Sequence, residues 1–219
     1  MDFLIDKDVL RFLNGHLGNN DAMAYIRCSD FAYRDMCRTI RFHKKYDEDA
    51  EIKWNLRRNV TALIKTQVEA WLQIPPKDQD EFNGQHQKLC EKIIVIYQGI
   101  TDQMEKDQSL FFGQAQKWVN MTLKNLYVYS KSNETDMSFD EILPYLHIPL
   151  DNVIMDIASD KKKCYIDPSD QKYGVSKPQT AWSRMDASEY QAYQKELKAK
   201  IGAPIPLLWE LTHWSTVIE

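Results

Sequence analysis

Two short stretches of the chain combine residue types that could do chemistry. In the first, Gly113-Gln114-Ala115-Gln116-Lys117 opens a patterned segment in which Lys117, Asn120 and Lys124 recur at i, i+3 and i+7. Small residues at Gly113 and Ala115 allow a tight backbone turn and close approach to a ligand. The unpaired amides of a helix start would then face an anion such as phosphate. Helical spacing sets the three polar side chains in one stripe, while Trp118, Met121, Leu123, Leu126 and Tyr127 fill most other faces. Such a stripe either meets water or lines a cleft, and a solvated face is the plainer reading. In the second stretch, His147-Ile148-Pro149-Leu150-Asp151, proline fixes an extended entry and Asp151 falls where a helix would begin. An aspartate there caps free amides and is favoured by the helix dipole. That structural role explains the residue without any function.

Helices must position these stretches. Apolar residues recur at helical spacing over residues 21–42, 52–72, 78–99 and 110–129. Pro75-Pro76 stops the second pattern. Ile93-Ile94-Val95-Ile96-Tyr97 could pass for a strand, but its continuity with the amphipathic residues 85–92 predicts helix. Ser138 and Glu141 form a capping-box pattern opening a short helix over 139–146, and Asp186 with Glu189 forms another before a helix to about Lys200. Residues 153–158 are apolar, 160–180 read as a polar surface loop, and 206–217 make a last apolar helix. The expected fold is all-α: a compact multi-helix domain spanning residues 1–219, or two packed helical lobes. The site region lies in residues 110–158.

Composition bounds the function. With 43% hydrophobic and 27% charged residues the chain is globular. Its net charge of −4 argues mildly against a broad nucleic-acid-binding face, though not against a local basic patch. No run approaches the roughly 18 apolar residues of a membrane span. An acidic start, Met-Asp-Phe-Leu-Ile-Asp, lacks the features of a signal peptide, and Cys28, Cys37, Cys90 and Cys164 have no CxxC spacing. A cytoplasmic location with reduced thiols and no membrane contact is expected. His86 and Cys90, one helical turn apart, have no matching second pair, so no metal and no cofactor are expected. Trp182, Trp209 and Trp214 are candidates for base stacking but more simply core, and Lys161-Lys162-Lys163 reads as a solvated run.

Taken together, the two stretches resemble the helix-hairpin-helix DNA glycosylase superfamily. Gly113-Gln-Ala115-Gln-Lys117 resembles its Gly-x-Gly-x-Lys hairpin, and Ile148-Pro149-Leu150-Asp151 its aliphatic-Pro-Val-Asp segment, in the same order. The 34-residue separation of Lys117 and Asp151 is closest to the archaeal 8-oxoguanine glycosylase branch. The resemblance implies a glycosylase-like helical fold and excision of an oxidised purine from damaged DNA. It implies Lys117 as a nucleophile forming a Schiff base, and Asp151 as its catalytic partner. It also implies nucleic-acid contacts through Gly113, Gln114, Ala115, Asn120 and Lys124, with Lys106, Lys117 and Lys124 as members of a basic patch. One alternative is a non-catalytic helical interaction protein that keeps the fold. Another is a HEPN-type ribonuclease, since Arg38 and His43 share the Arg-x4-His spacing of that class.

Overall fold

The computed structural model describes residues 20–101, 109–159 and 173–215. Lys106, Lys161-Lys162-Lys163 and Cys164 lie outside the described residues, as does the side chain of Trp214. Seven α-helices are present among those described: α1 (Asp21–Cys37), α2 (Ala50–Gln73), α3 (Gln79–Ile96), α4 (Phe112–Ser132), α5 (Asn152–Ala158), α6 (Ala187–Ile201) and α7 (Pro206–Ser215). Short 3-10 turns occur at Lys44–Tyr46, Leu143–Tyr145 and Trp182–Arg184. Five of the helices start on a side chain that accepts the backbone N–H three residues further on, in the first turn: Asn20, Asp49, Asp78, Asp151 and Asp186. Each such cap satisfies a donor that the helix itself cannot. Asp186 and Glu189 complete the predicted capping box, each accepting the other's backbone N–H, at 2.8 and 3.1 Å.

Helix α4 is the axis of the molecule. All of residues 112–129 are buried, and α1, α3, α6 and the 182–184 turn pack around it. A helix enclosed on every side is expected to be apolar all round. This one carries Gln114, Gln116, Lys117, Asn120, Thr122, Lys124 and Asn125 in its interior. Helix α2 closes the outer side against α1 and α3, and α7 packs on α5, α6 and the 143–145 turn. The buried side chains form one continuous cluster. Trp118 sits at its centre, its indole N–H donating to the carbonyl of Ser29 at 3.1 Å and its ring 4.9 Å from that of Tyr33.

Residues 93–96 are helical, as the sequence predicts. The first helix stops at Cys37 rather than 42. Beyond it Gln114 takes the Thr39 carbonyl, His43 donates its amide to Ile100, and Phe42 pairs with Thr101 in an isolated antiparallel bridge. The helix expected over 139–146 is reduced to the 3-10 turn at Leu143–Tyr145. Ser138 there bonds to the Asp140 carboxylate rather than capping an amide, and Pro144 has no N–H to continue a helix.

Candidate functional site

The 34-residue gap between Lys117 and Asp151 closes completely in the fold. Lys117 Nζ lies 2.8 Å from Asp151 Oδ2, with the lysine side chain 4% exposed and the aspartate 23% exposed. Asp151 does two things at once. Its other oxygen accepts the Ile154 amide at 2.9 Å and so caps α5. Burial pushes its carboxyl upward. The Lys117 ammonium outweighs this, with help from the Ile154 amide and the Lys124 charge, and holds it below the usual carboxylate range. Asp151 is therefore an anion at neutral pH, and it is the more accessible member of the pair.

The predicted stripe does face one direction, but inward. Two turns beyond Lys117, Lys124 meets Glu210 Oε1 at 2.8 Å, with side-chain exposures of 4% and 1%. The second Glu210 oxygen is buried and accepts no hydrogen bond. Asn120, between the two lysines in sequence, donates to Gln116 and to the Tyr190 hydroxyl, both at 2.8 Å, and accepts from His86 Nε2 at 2.8 Å.

This last contact opens a second buried network. Asn120 Oδ1 can only accept, so the His86 proton is on Nε2, leaving Nδ1 beside the Cys90 thiol at 3.9 Å. His147 follows the same rule: Nε2 donates to Asn83 Oδ1, and Nδ1 accepts from Tyr190, both at 2.8 Å. Burial pulls the His86 pKa down to about 4 despite the Asn120 bond. Burial, together with the His86 and Lys198 charges, holds His147 well below the ordinary value. Both rings are neutral near pH 7. Outside them lies a cleft of about 590 Å³ between α3 and α6, lined by Gln79, Asn83, His147, Gln194 and Lys198 among others.

Several expectations are revised by this geometry. Gly113 to Lys117 do not form a hairpin ahead of a helix; they are the first turns of α4 itself. Gly113 is small because the 182–184 turn presses on it: a Cβ there would stand 1.8 Å from the Trp182 carbonyl oxygen. Its amide is not free for an anion but donates to Met185 O at 2.9 Å. Gly113, Ala115, Asn120 and Lys124 are buried, and Asn120 and Lys124 are committed to internal partners, so none presents a side chain for nucleic acid. Gln114 is 1% exposed and turned to Thr39. Trp182 and Trp209 are core residues. Arg38 is exposed and caps the end of α1, whereas the His43 Nδ1 is buried without a hydrogen-bond partner.

Comparison with protein families, with curated proteins and with solved structures finds no match to this chain. The site is therefore read from its own geometry. Among the described residues no group of three His, Cys, Asp or Glu side chains could hold a metal, and no helix is long and apolar enough to cross a membrane. Sequence reasoning missed Glu210, His147 and Tyr190. A signal existed for the first, since Glu210 is the only charge in the apolar run 205–211. His86, one or two turns from Phe82, Leu89 and Ile93 on the buried face of α3, carried a comparable one.

Proposed function

We propose that the chain is a DNA-acting base-excision enzyme, a glycosylase with lyase activity, in which Lys117 is the nucleophile and Asp151 its anionic partner. The observation that carries this reading is the Lys117–Asp151 pair: an amine and a carboxylate 2.8 Å apart, drawn from opposite ends of a 34-residue span, with the carboxylate opening to solvent. In the proposed reaction the Lys117 ammonium gives up a proton, and its freed Nζ bonds to C1′ of the target nucleotide as the glycosidic bond breaks. The bonding electrons leave with the base, which takes up the proton that the amine sheds. Opening of the sugar ring, with O4′ taking up a proton, then gives an imine; loss of a C2′ proton to solvent expels the 3′-phosphate, the lyase step, and water hydrolyses the imine that remains. Asp151, held ionised, faces the positive charge that develops at C1′ and the ring oxygen. An extrahelical base is required, because neither atom could reach C1′ in a stacked duplex.

The test is borohydride trapping on duplexes carrying oxidised purines. Wild type should give a covalent protein–DNA adduct. Lys117→Gln should give none, and Asp151→Asn, which can keep the α5 cap, should give far less. Circular dichroism and urea unfolding would establish that both variants are folded. A panel of lesions giving no adduct at low salt and high protein would refute the catalytic reading. The non-catalytic reading draws on a separate observation: Lys117 is only 4% exposed and already satisfied by Asp151. On that reading the pair simply locks α5 to α4.

A further inference from the structure

The strongest unassigned feature is a recess of about 250 Å³ beside the start of α4, lined by Arg38, Thr39, Arg41, Phe111, Gln114, Ser183 and Arg184. Its arginines come from two distant segments, the turn after α1 and the 3-10 turn Trp182–Arg184. Gln114 and Gly113 hold those segments together. Gln114 donates to the Thr39 carbonyl at 2.7 Å, and Gly113 donates to Met185 at 2.9 Å. Three exposed guanidiniums are thus gathered at one spot on a chain of net charge −4, and no carboxylate among the described residues lines the recess. Among the described residues neither Arg38 nor Arg184 pairs with an acid.

We infer that this recess takes a backbone phosphate of duplex DNA. Guanidinium forks match the paired oxygens of a phosphodiester and gain directional, charge-assisted bonds to it. The volume suits a phosphate with part of its sugar, and Phe111, the one aromatic among the described lining residues, is half-buried and offers no broad platform for a base. The basic character also continues past the recess. From residue 36 to residue 46 the chain contains Arg38, Arg41, Lys44 and Lys45 and no acid. A polymer that runs on to further phosphates would use that run, whereas a free ion would not. Chain position links the recess to the proposed chemistry. Gln114, at the wall of the recess, precedes Lys117 by three residues, about 4.5 Å of helical rise. The anchor would hold the strand within reach of the Lys117–Asp151 pair. This inference rests on the reading of the chain as DNA-acting, but it does not need that chemistry to succeed.

The experiment is fluorescence anisotropy on a labelled duplex carrying an abasic analogue, with full-length protein and salt varied. Wild type should bind with a strong salt dependence. Arg38→Ala and Arg184→Ala should each weaken binding about tenfold and lower the salt slope by about one phosphate equivalent. The double variant should lose more. Arg58→Ala, on the exposed side of α2, should bind as wild type does. All three substitutions are at exposed positions, so folding is not at issue. Unchanged affinity and slope in the double variant would overturn the inference, as would failure of wild type to bind the duplex at low salt. Inorganic phosphate that occupies the recess while duplex DNA does not would reduce it to a small-anion site and also overturn it. The same variants are run through borohydride trapping. Arginine-dependent binding without any adduct supports the recess and removes the Lys117 chemistry. Adduct at wild-type yield in the double variant keeps the chemistry and removes the recess.

Discussion

Replacing a helical glycine by alanine normally stabilises a protein, and two glycines of this chain should respond with opposite signs. Gly84 lies on the exposed side of α3, and a Cβ added there meets nothing within 4 Å. Gly84→Ala should therefore gain about 0.5–1 kcal/mol from helix propensity and reduced freedom of the unfolded chain. Gly113 occupies a similar backbone on α4, but its added Cβ would sit 1.8 Å from Trp182 O, where ordinary contact begins at 3.4 Å. The obstacle is backbone, so the 182–184 turn must retreat by roughly the 1.6 Å difference. That motion breaks the Gly113–Met185 hydrogen bond, about 0.5–1.5 kcal/mol. It adds overpacking strain of about 1–3 kcal/mol. After subtracting the propensity gain of about 1 kcal/mol, Gly113→Ala should destabilise by roughly 2 kcal/mol. Urea unfolding followed by circular dichroism at pH 7 measures both variants against wild type. Gly113→Ala as stable as Gly84→Ala would show that the turn does not bear on α4, and would remove the account of why the residue is small. Because Ser183 and Arg184 belong to the same turn, Gly113→Ala should also weaken duplex binding.

Two further outcomes follow from the buried charges. Lys124→Met leaves Glu210, 1% exposed, without its counter-ion, and should cost about 3–5 kcal/mol in urea unfolding. The double variant Lys124→Met/Glu210→Leu should recover most of that loss, and a double variant no better than the single would refute the pairwise account. In acid, His86 binds its proton less readily folded than unfolded, because burial has lowered its pKa from the ordinary 6.5 to about 4. Its contribution is complete above pH 6.5 and is lost as pH falls toward 4, by roughly 3 kcal/mol. His147 adds in the same direction, and Asp151 follows only at lower pH, since its pKa lies below the carboxylate range. Stability measured from pH 7 to pH 4.5 should fall steeply, and less steeply in His86→Gln. An equal slope in that variant would place the acid sensitivity elsewhere.

The helices were legible because their signals are local. Aspartate caps at Asp151 and Asp186, the Pro75-Pro76 stop and the apolar periodicity each act within a turn or two of chain. The end of α1 was not legible. Nothing in residues 38–42 forbids a helix; Gln114 and Ile100, far along the chain, take the Thr39 carbonyl and the His43 amide instead. The pairing of Lys117 with Asp151 was suggested by the two stretches taken jointly. The direction of the stripe was misjudged, because a polar stripe looks alike whether it faces water or a buried partner. Glu210, Asp151, His86 and Tyr190 supply those partners from four other helices or helix starts, and periodicity within α4 carries no record of them.

Helix α4 buries two lysines and two carboxamide side chains, Asn120 and Asn125, that make hydrogen bonds to α1, α3, α6 or α7, or to the turn leading into α5, in a position where an apolar helix would serve. Replacing such pairs by well-packed apolar side chains is often neutral or stabilising, so stability alone is a weak reason for them. Two roles remain for an arrangement of this kind. One is to fix which residues face each other across α4, since a shift of α7 by one residue would strand Glu210. The other is chemistry, which requires at least one member to reach a substrate. The two pairs separate these roles by exposure. Lys124–Glu210 is closed on both sides and suits the first. Lys117–Asp151 has one closed member and one at the surface, 23% exposed. An apolar replacement of Lys124 and Glu210 should thus spare any DNA adduct, whereas loss of either Lys117 or Asp151 should not.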